Sequence, residues 1–199
     1  ARRQGRSSHP RRGCWAWRAY LTVPDPLTAE ARCWRLRRVQ LASSILRFYR
    51  LPYTREVRWA NALEDGGVFA LLELVGDDGA RGFAEGTIKA TWSGASPRSL
   101  AAQLEDLLIP RLKGIDLAEE RAVAQAIGPV QECRLAKTLV DNACWTLRAC
   151  AANLPLWKLW GGPRSVELTW AVTRQPPAAM AREAAEVVSR YGFRTLKVK

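Results

Sequence analysis

"SVELTWAVTRQPPAAMAREAAEVVSRYGFRTLKVK" occupies positions 165–199. Residues 165–172 read as a strand, "TRQPP" (173–177) as a loop, and "AAMAREAAEVVSRY" (178–191) as a helix that Gly192 stops. "FRTLKVK" (193–199) reads as a second strand. Strand, loop, helix and strand over 35 residues make a βαβ unit, a connection that joins parallel strands. Parallel strands are ordinarily covered on both faces. Two strands and one helix cannot provide that cover, so residues 164–199 are expected to begin a larger parallel domain.

The residues before it have a different rhythm. "VQLASSILRFYRL" (39–51) is rich in strand-forming Ile45, Phe48 and Tyr49, and positions 52–65 read as a polar loop with Arg55, Arg58 and Trp59. "GVFALLELV" (67–75), the turn "GDDG" (76–79) and "ARGFAEG" (80–86) spell a hairpin. Positions 86–95 form a further loop with Lys89 and Trp92. Ser96-Pro97 then opens a helix whose Leu100, Leu104, Leu107 and Leu108 share a side. Asp116 and Glu119 have capping-box spacing before a helix that closes at Gly128. The longest helix, 134–153, places Leu135, Leu139, Ala143 and Leu147 in one stripe, with Cys144 and Trp145 beside it. "LPLWKLWGGP" (154–163) is a tight exit. The expected fold is α+β: a three-stranded antiparallel sheet, then helices, then βαβ.

Composition narrows the classes. The chain has 199 residues, 48% hydrophobic and 25% charged, with a formal charge of +12, an ordinary globular mixture. Residues 1–38 hold 10 Arg against Asp25 and Glu30, a net of +8; the rest hold 21 basic against 17 acidic residues, a net of +4. Two thirds of the excess therefore lies in a stretch without helix or strand period that Pro10, Pro24 and Pro26 interrupt. Residues 1–35 are expected to be a disordered basic leader. The one histidine, His9, lies there, which argues against a catalytic role for it. Cys14, Cys33, Cys133, Cys144 and Cys150 are odd in number and form no CxxC pair. Cys144 and Cys150 read as small apolar helix residues, and the pattern suits a reducing, cytoplasmic setting. No run approaches the roughly 20 apolar residues of a membrane helix.

"GFAEG" (82–86), "DNACW…LPLWKLWGG" (141–162) and the alternating Lys197 and Lys199 together resemble the enolase superfamily, in its mandelate racemase/muconate lactonizing enzyme branch. The resemblance extends from about residue 36 to 199. Thr146 departs from it, standing where the family has Asp or Glu after the Trp. The resemblance implies a capping domain at 36–163 and, from 164, the first β-α-β of a (β/α) TIM-type barrel. A complete barrel takes about 250 residues, so the expectation is a barrel cut short.

The resemblance also implies chemistry. Removing a proton next to a carboxylate builds a dianionic intermediate, and the superfamily handles it with a Lys or His base and one or two Mg²⁺ ions. A lone lysine is mostly protonated at pH 7, and a neighbouring ammonium with partial burial favours the free amine. Residues two apart on a strand share a face. By resemblance Lys199 is the base and Lys197 its modulator. The capping loops would hold a small carboxylate substrate through Trp59, Arg58, Lys89 and Trp92, the indoles as apolar wall and the cations as anion anchor. In the family the metal-binding Asp and Glu come from the third to fifth barrel strands, so this chain is expected to hold no Mg²⁺ ligands and to be inactive alone. A homo-oligomer is expected of the full-length enzyme.

Two other classes compete. A basic nucleic-acid-binding protein would use the Arg density and nine Trp. Against it stand the concentration of charge in the leader and the placing of Trp92, Trp145, Trp157, Trp160 and Trp170 in or near apolar, packed segments. A non-catalytic α+β module would associate through its βαβ end. Neither a specific nucleic acid nor a membrane is an expected partner.

Overall fold

The computed structural model describes residues 37–59 and 62–199. The expected leader at 1–35, with His9, Cys14 and Cys33, lies outside the described residues. Strands β1 (Leu41–Arg58), β2 (Leu63–Gly76) and β3 (Arg81–Ile88) form an antiparallel sheet in that order. The loop expected at 52–65 is therefore mostly strand. β1 lies at the sheet edge, where a proline is tolerated because one side of the backbone has no ladder to keep. Pro52 pairs with Gly66, and residues 53–56 then bulge opposite Asp65 before Val57 meets Glu64.

The sheet has two unlike faces because alternate residues point opposite ways. Ala70, Leu72 and Leu74 of β2 and Ala84 and Ile88 of β3 are buried in the core. On the other face Glu73, with its side chain 1% exposed, sits between two half-exposed arginines. Arg47 Nη1 donates to it at 3.2 Å and Arg81 Nε at 2.6 Å. A carboxylate this buried needs such partners. Tyr49 stacks on Phe69 and its hydroxyl donates to Glu85, so the carboxylate of "FAEG" holds the sheet face.

Helices cover the first face. A short turn, α1 (Ala90–Ser93), leads to α2 (Pro97–Ala102), capped by Ser96, whose hydroxyl accepts from the Ser99 N–H at 3.1 Å. A π-helical stretch (Gln103–Leu108) and a 3₁₀ turn (Ile109–Leu112) continue it. The wider turn explains one correction. Leu100, Leu104, Leu108 and Leu112 are all buried, whereas Leu107, expected in the core, is 44% exposed. A four-residue repeat drifts by roughly 40° per step on an ideal α-helix; the π stretch removes that drift and turns Leu107 outward. The expected capping box at 116–119 is also different. Asp116 Oδ1 accepts from the N–H groups of Ala118 (2.9 Å) and Val39 (3.1 Å), which pins the loop to the start of β1. Helix α3 starts later, at Glu120–Ile127, capped by Glu119.

α4 (Arg134–Ala151) is the main cover. Leu139, Ala143, Cys144 and Leu147 are buried as expected and Leu135 partly so, but Cys150 is exposed. Arg148 is buried too, its Nε donating to the Leu117 carbonyl at 2.8 Å and its guanidinium over the Trp145 ring. The helix reaches β3 at Gly82, where a Cβ would run into the Ala143 carbonyl oxygen and stand 2.6 Å from Leu147 Cβ. Beside that contact Thr146 Oγ1 accepts from the Phe83 N–H at 2.7 Å and lies 2.8 Å from its carbonyl. The residue that departs from the family's acidic pattern thus fastens the helix to the sheet backbone.

After α5 (Leu156–Leu159), β4 (Thr169–Val172), α6 (Pro177–Tyr191) and β5 (Thr195–Val198) follow. β4 and β5 pair in parallel, Thr169 with Thr195 through Val172 with Val198. The βαβ reading holds, with shorter strands than expected. Lys197 lies within β5 and Lys199 just beyond its end. Of the tryptophans expected to be packed, Trp92, Trp157 and Trp160 are instead 70%, 40% and 47% exposed.

Candidate functional site

At the end of the β1–β2 pairing the Trp59 N–H donates to the Ala62 carbonyl at 2.8 Å. Trp59 follows the last residue of β1, and Glu64 is the second residue of β2. The hairpin register brings the two together, and the indole Nε1–H donates to Glu64 Oε2 at 2.7 Å. Lys89, at the N-cap of α1, reaches the same carboxylate at 2.8 Å. Its ammonium stands 4.2 Å from the ring centroids of both Trp59 and Trp92. The two indoles meet edge-on at 5.3 Å. Lys89 is 17% exposed and Glu64 24%. The lysine bond is the main reason that the Glu64 carboxyl lies below the usual carboxylate range; burial opposes it and the Trp59 bond assists.

This geometry bears on the expectation for Lys89. Lys89 was expected to anchor a substrate anion, yet its charge is already matched by Glu64 and enclosed by two ring faces. Cation–π contacts of this kind stabilise an ammonium most when water is partly excluded. The ion pair and the two ring contacts thus tie Trp59 and Trp92 together around the Lys89 ammonium. A cavity of about 260 Å³ beside it is lined by Tyr53, Glu64, Val68, Ile88 and Lys89. Trp92 lines a separate cleft of about 500 Å³ with Gln103, Cys133 and Leu135.

Lys199 comes to the same place from the βαβ unit. Its Nζ lies 4.9 Å from the Trp59 ring centroid. Four of the six expected residues, Trp59, Lys89, Trp92 and Lys199, are thus gathered from the hairpin, the β3–α2 connection and the end of β5. Arg58 is exposed at the end of β1, and Lys197 is exposed on β5; neither has an ion pair among the described residues. Glu64 was not anticipated. Its only mark in the sequence is an acidic residue five places after Trp59, and the significance of that spacing depends on the pairing of Val57 with Glu64, which a 52–65 loop does not specify.

Among the described residues no three His, Cys, Asp or Glu side chains stand together in a way that could hold a metal ion. No helix of the described residues is long and apolar enough to cross a membrane. Residues 55–161 match the family description "Mandelate racemase / muconate lactonizing enzyme, N-terminal domain". The chain belongs to this family. Its sheet-and-helix unit is the capping domain that such enzymes carry at the N-terminus.

Relatives in the mandelate racemase/muconate lactonizing enzyme family extend the likeness past that domain. N-succinylamino acid racemase of Thermus thermophilus is 27% identical over 164 residues, which is 81% of this chain and 44% of the relative. A substrate-liganded L-Ala-D/L-Glu epimerase from Bacillus subtilis superposes with a TM-score of 0.73 at 26% identity, covering 80% of this chain and 45% of the other. A dipeptide epimerase from Enterococcus faecalis, solved with Mg and the dipeptide L-Leu-L-Tyr, has the same fold at 23% identity, with a TM-score of 0.73 over 82% of this chain and 46% of its own. The chain spans less than half the length of the curated relatives it matches.

Proposed function

We propose that this chain supplies the capping domain and the first lysine-bearing strand of an enzyme that removes the proton alpha to a carboxylate, as a racemase, cycloisomerase or dehydratase does. The observation that carries the reading is the approach of Lys199 Nζ to the Trp59 ring. A capping hairpin and a Lys-x-Lys strand come together from residues 140 positions apart in sequence, and in this reading the substrate lies between them. In this reading Lys199 is the base and Lys197 its electrostatic neighbour. Trp59 and Trp92 form the apolar wall, and Arg58, exposed and unpaired among the described residues, is the capping residue free to meet a substrate anion. Family enzymes use magnesium to stabilise the enolate. The described residues offer no metal site of their own. The activity is proposed for a protein of the relatives' length, of which this chain spans less than half.

Deuterium exchange at the alpha carbon tests the reading, with N-succinylamino acids and Ala-Glu dipeptides as substrates in D₂O. A protein extended to the relatives' length should exchange the proton, and Lys199→Ala should abolish exchange at the face that Lys199 serves. Exchange at the parent rate in Lys199→Ala would remove Lys199 from the mechanism.

A further inference from the structure

The slip in β1 between Pro52 and Val57 leaves Tyr53, Thr54, Arg55 and Glu56 opposite Asp65 alone. Bulges re-aim side chains and are over-represented beside active sites. Here Arg55 reaches away from its sheet, and its Nη2 donates to Glu183 Oε1 at 2.5 Å, across 128 positions of sequence. Glu183 lies within α6 with its side chain 10% exposed. Two further donors hold it: Trp170 Nε1–H to Oε1 at 3.0 Å and Gln175 Nε2–H to Oε2 at 2.5 Å. Burial alone would raise its carboxyl, but the Arg55, Trp170 and Gln175 donors together hold it below the ordinary range.

Trp170 continues the connection. It pairs with Leu196 across β4 and β5. Its ring stacks on Tyr191 and meets Phe193 edge-on at 5.4 Å. The carboxylate is therefore fixed to the framework of β5, while Arg55 belongs to the hairpin that carries Trp59. Beyond the bulge only Val57 and Arg58 of β1 pair with β2, so few ladder bonds hold the hairpin end in place. A charge-assisted bond to a carboxylate that two further donors hold opposes displacement of that end.

We infer that Arg55 and Glu183 are positioning residues that hold the tip of the capping hairpin over the lysine-bearing end of β5. This rests on the reading of Lys199 as the base, since it gives the held geometry its purpose. Arg55 and Glu183 act through Trp59 and Trp170, and neither is assigned a contact with the reacting atoms.

Nuclear Overhauser contacts between the Trp59 ring protons and the Lys199 ε-methylene test this in the 199-residue chain. Arg55→Ala and Glu183→Gln should each lose those contacts, while cross-peaks within β2 and β3 stay in place and verify the fold. Arg55→Lys should retain them, because an ammonium can still meet the fixed carboxylate. Contacts that survive Arg55→Ala, or that Arg55→Lys loses as fully as Arg55→Ala, would overturn the proposal. The readout needs no turnover. If Lys199 were not the base, deuterium exchange would reveal it while these contacts remained.

Discussion

Replacing Lys89 by Met separates two roles for that residue. Methionine keeps an unbranched apolar stem of similar length, so the packing between Trp59 and Trp92 is largely preserved while the charge is removed. What is lost is a part-buried ion pair at 2.8 Å and two ring contacts at 4.2 Å. Exposed pairs contribute about 0.2–1 kcal/mol, and leaving one partner of a fully buried pair alone costs about 3–5 kcal/mol. With side chains 17% and 24% exposed, this pair falls between those limits. Each cation–π contact adds about 0.5–1 kcal/mol. The expected loss is about 2–3 kcal/mol in urea unfolding, or about 5–10 °C in Tm for a chain of this size. Glu64→Gln should cost less, because the amide oxygen still accepts from the Trp59 indole, and the double variant should show coupling. The pH dependence has a defined sign. The Glu64 carboxyl is held below its ordinary value, chiefly by Lys89, so its contribution is fully present above the unfolded value of about 4.3. It is lost as pH falls through the lower folded value. The gap between parent and Lys89→Met should accordingly narrow in acid. A stability change within about 0.5 kcal/mol, the usual range for surface substitutions, would refute the pinned wall and restore Lys89 as a free anion anchor.

Gly82→Ala should destabilise by more than about 3 kcal/mol in urea unfolding, since the new methyl meets the Ala143 backbone; Gly86→Ala, which meets side-chain tips of Leu135 and Leu139, should cost about 1–2 kcal/mol. Glu73 is held below the ordinary carboxylate range first by its bond to Arg81, against burial and with help from Arg47. Its stabilising contribution should be present above about pH 4.3 and fade below that as the carboxyl protonates, so Glu73→Gln should flatten the acid limb of a stability–pH curve. Among Cys133, Cys144 and Cys150, alkylation followed by mass spectrometry should find exposed Cys150 modified first. Cys144, whose thiol burial pushes up to about 12, should react only on global unfolding.

Local signals made much of the fold legible. The hairpin around "GDDG", the Ser96 cap and the α4 stripe are short-range patterns, and each appears where turn chemistry and helical spacing predict. The parallel pairing of β4 and β5 followed from the length of their connection. Errors fell where a longer-range partner chose the conformation. β1 continued past Pro52 because β2 was there to pair with it. The π stretch formed because four leucines at a spacing of four share one core. Asp116 left its expected helix cap to bond the backbone of Val39.

The site divides in the same way. Trp59, Lys89, Trp92 and Lys199 were named in advance through the family resemblance, and the structure brings the four together. Glu64, Glu183 and the ion pair of Arg55 were not, since a carboxylate or guanidinium in a polar segment looks solvated until its partner is known. The sequence by itself determined the order of most elements, through periodicity and turn propensity, while the candidate site residues came from the family resemblance. Only the tertiary structure decided which charges are already matched. Whether Lys89 anchors a substrate or pins a wall depends on a carboxylate 2.8 Å away, and hydrogen bonds and ion pairs weaken steeply over distances that sequence spacing does not encode.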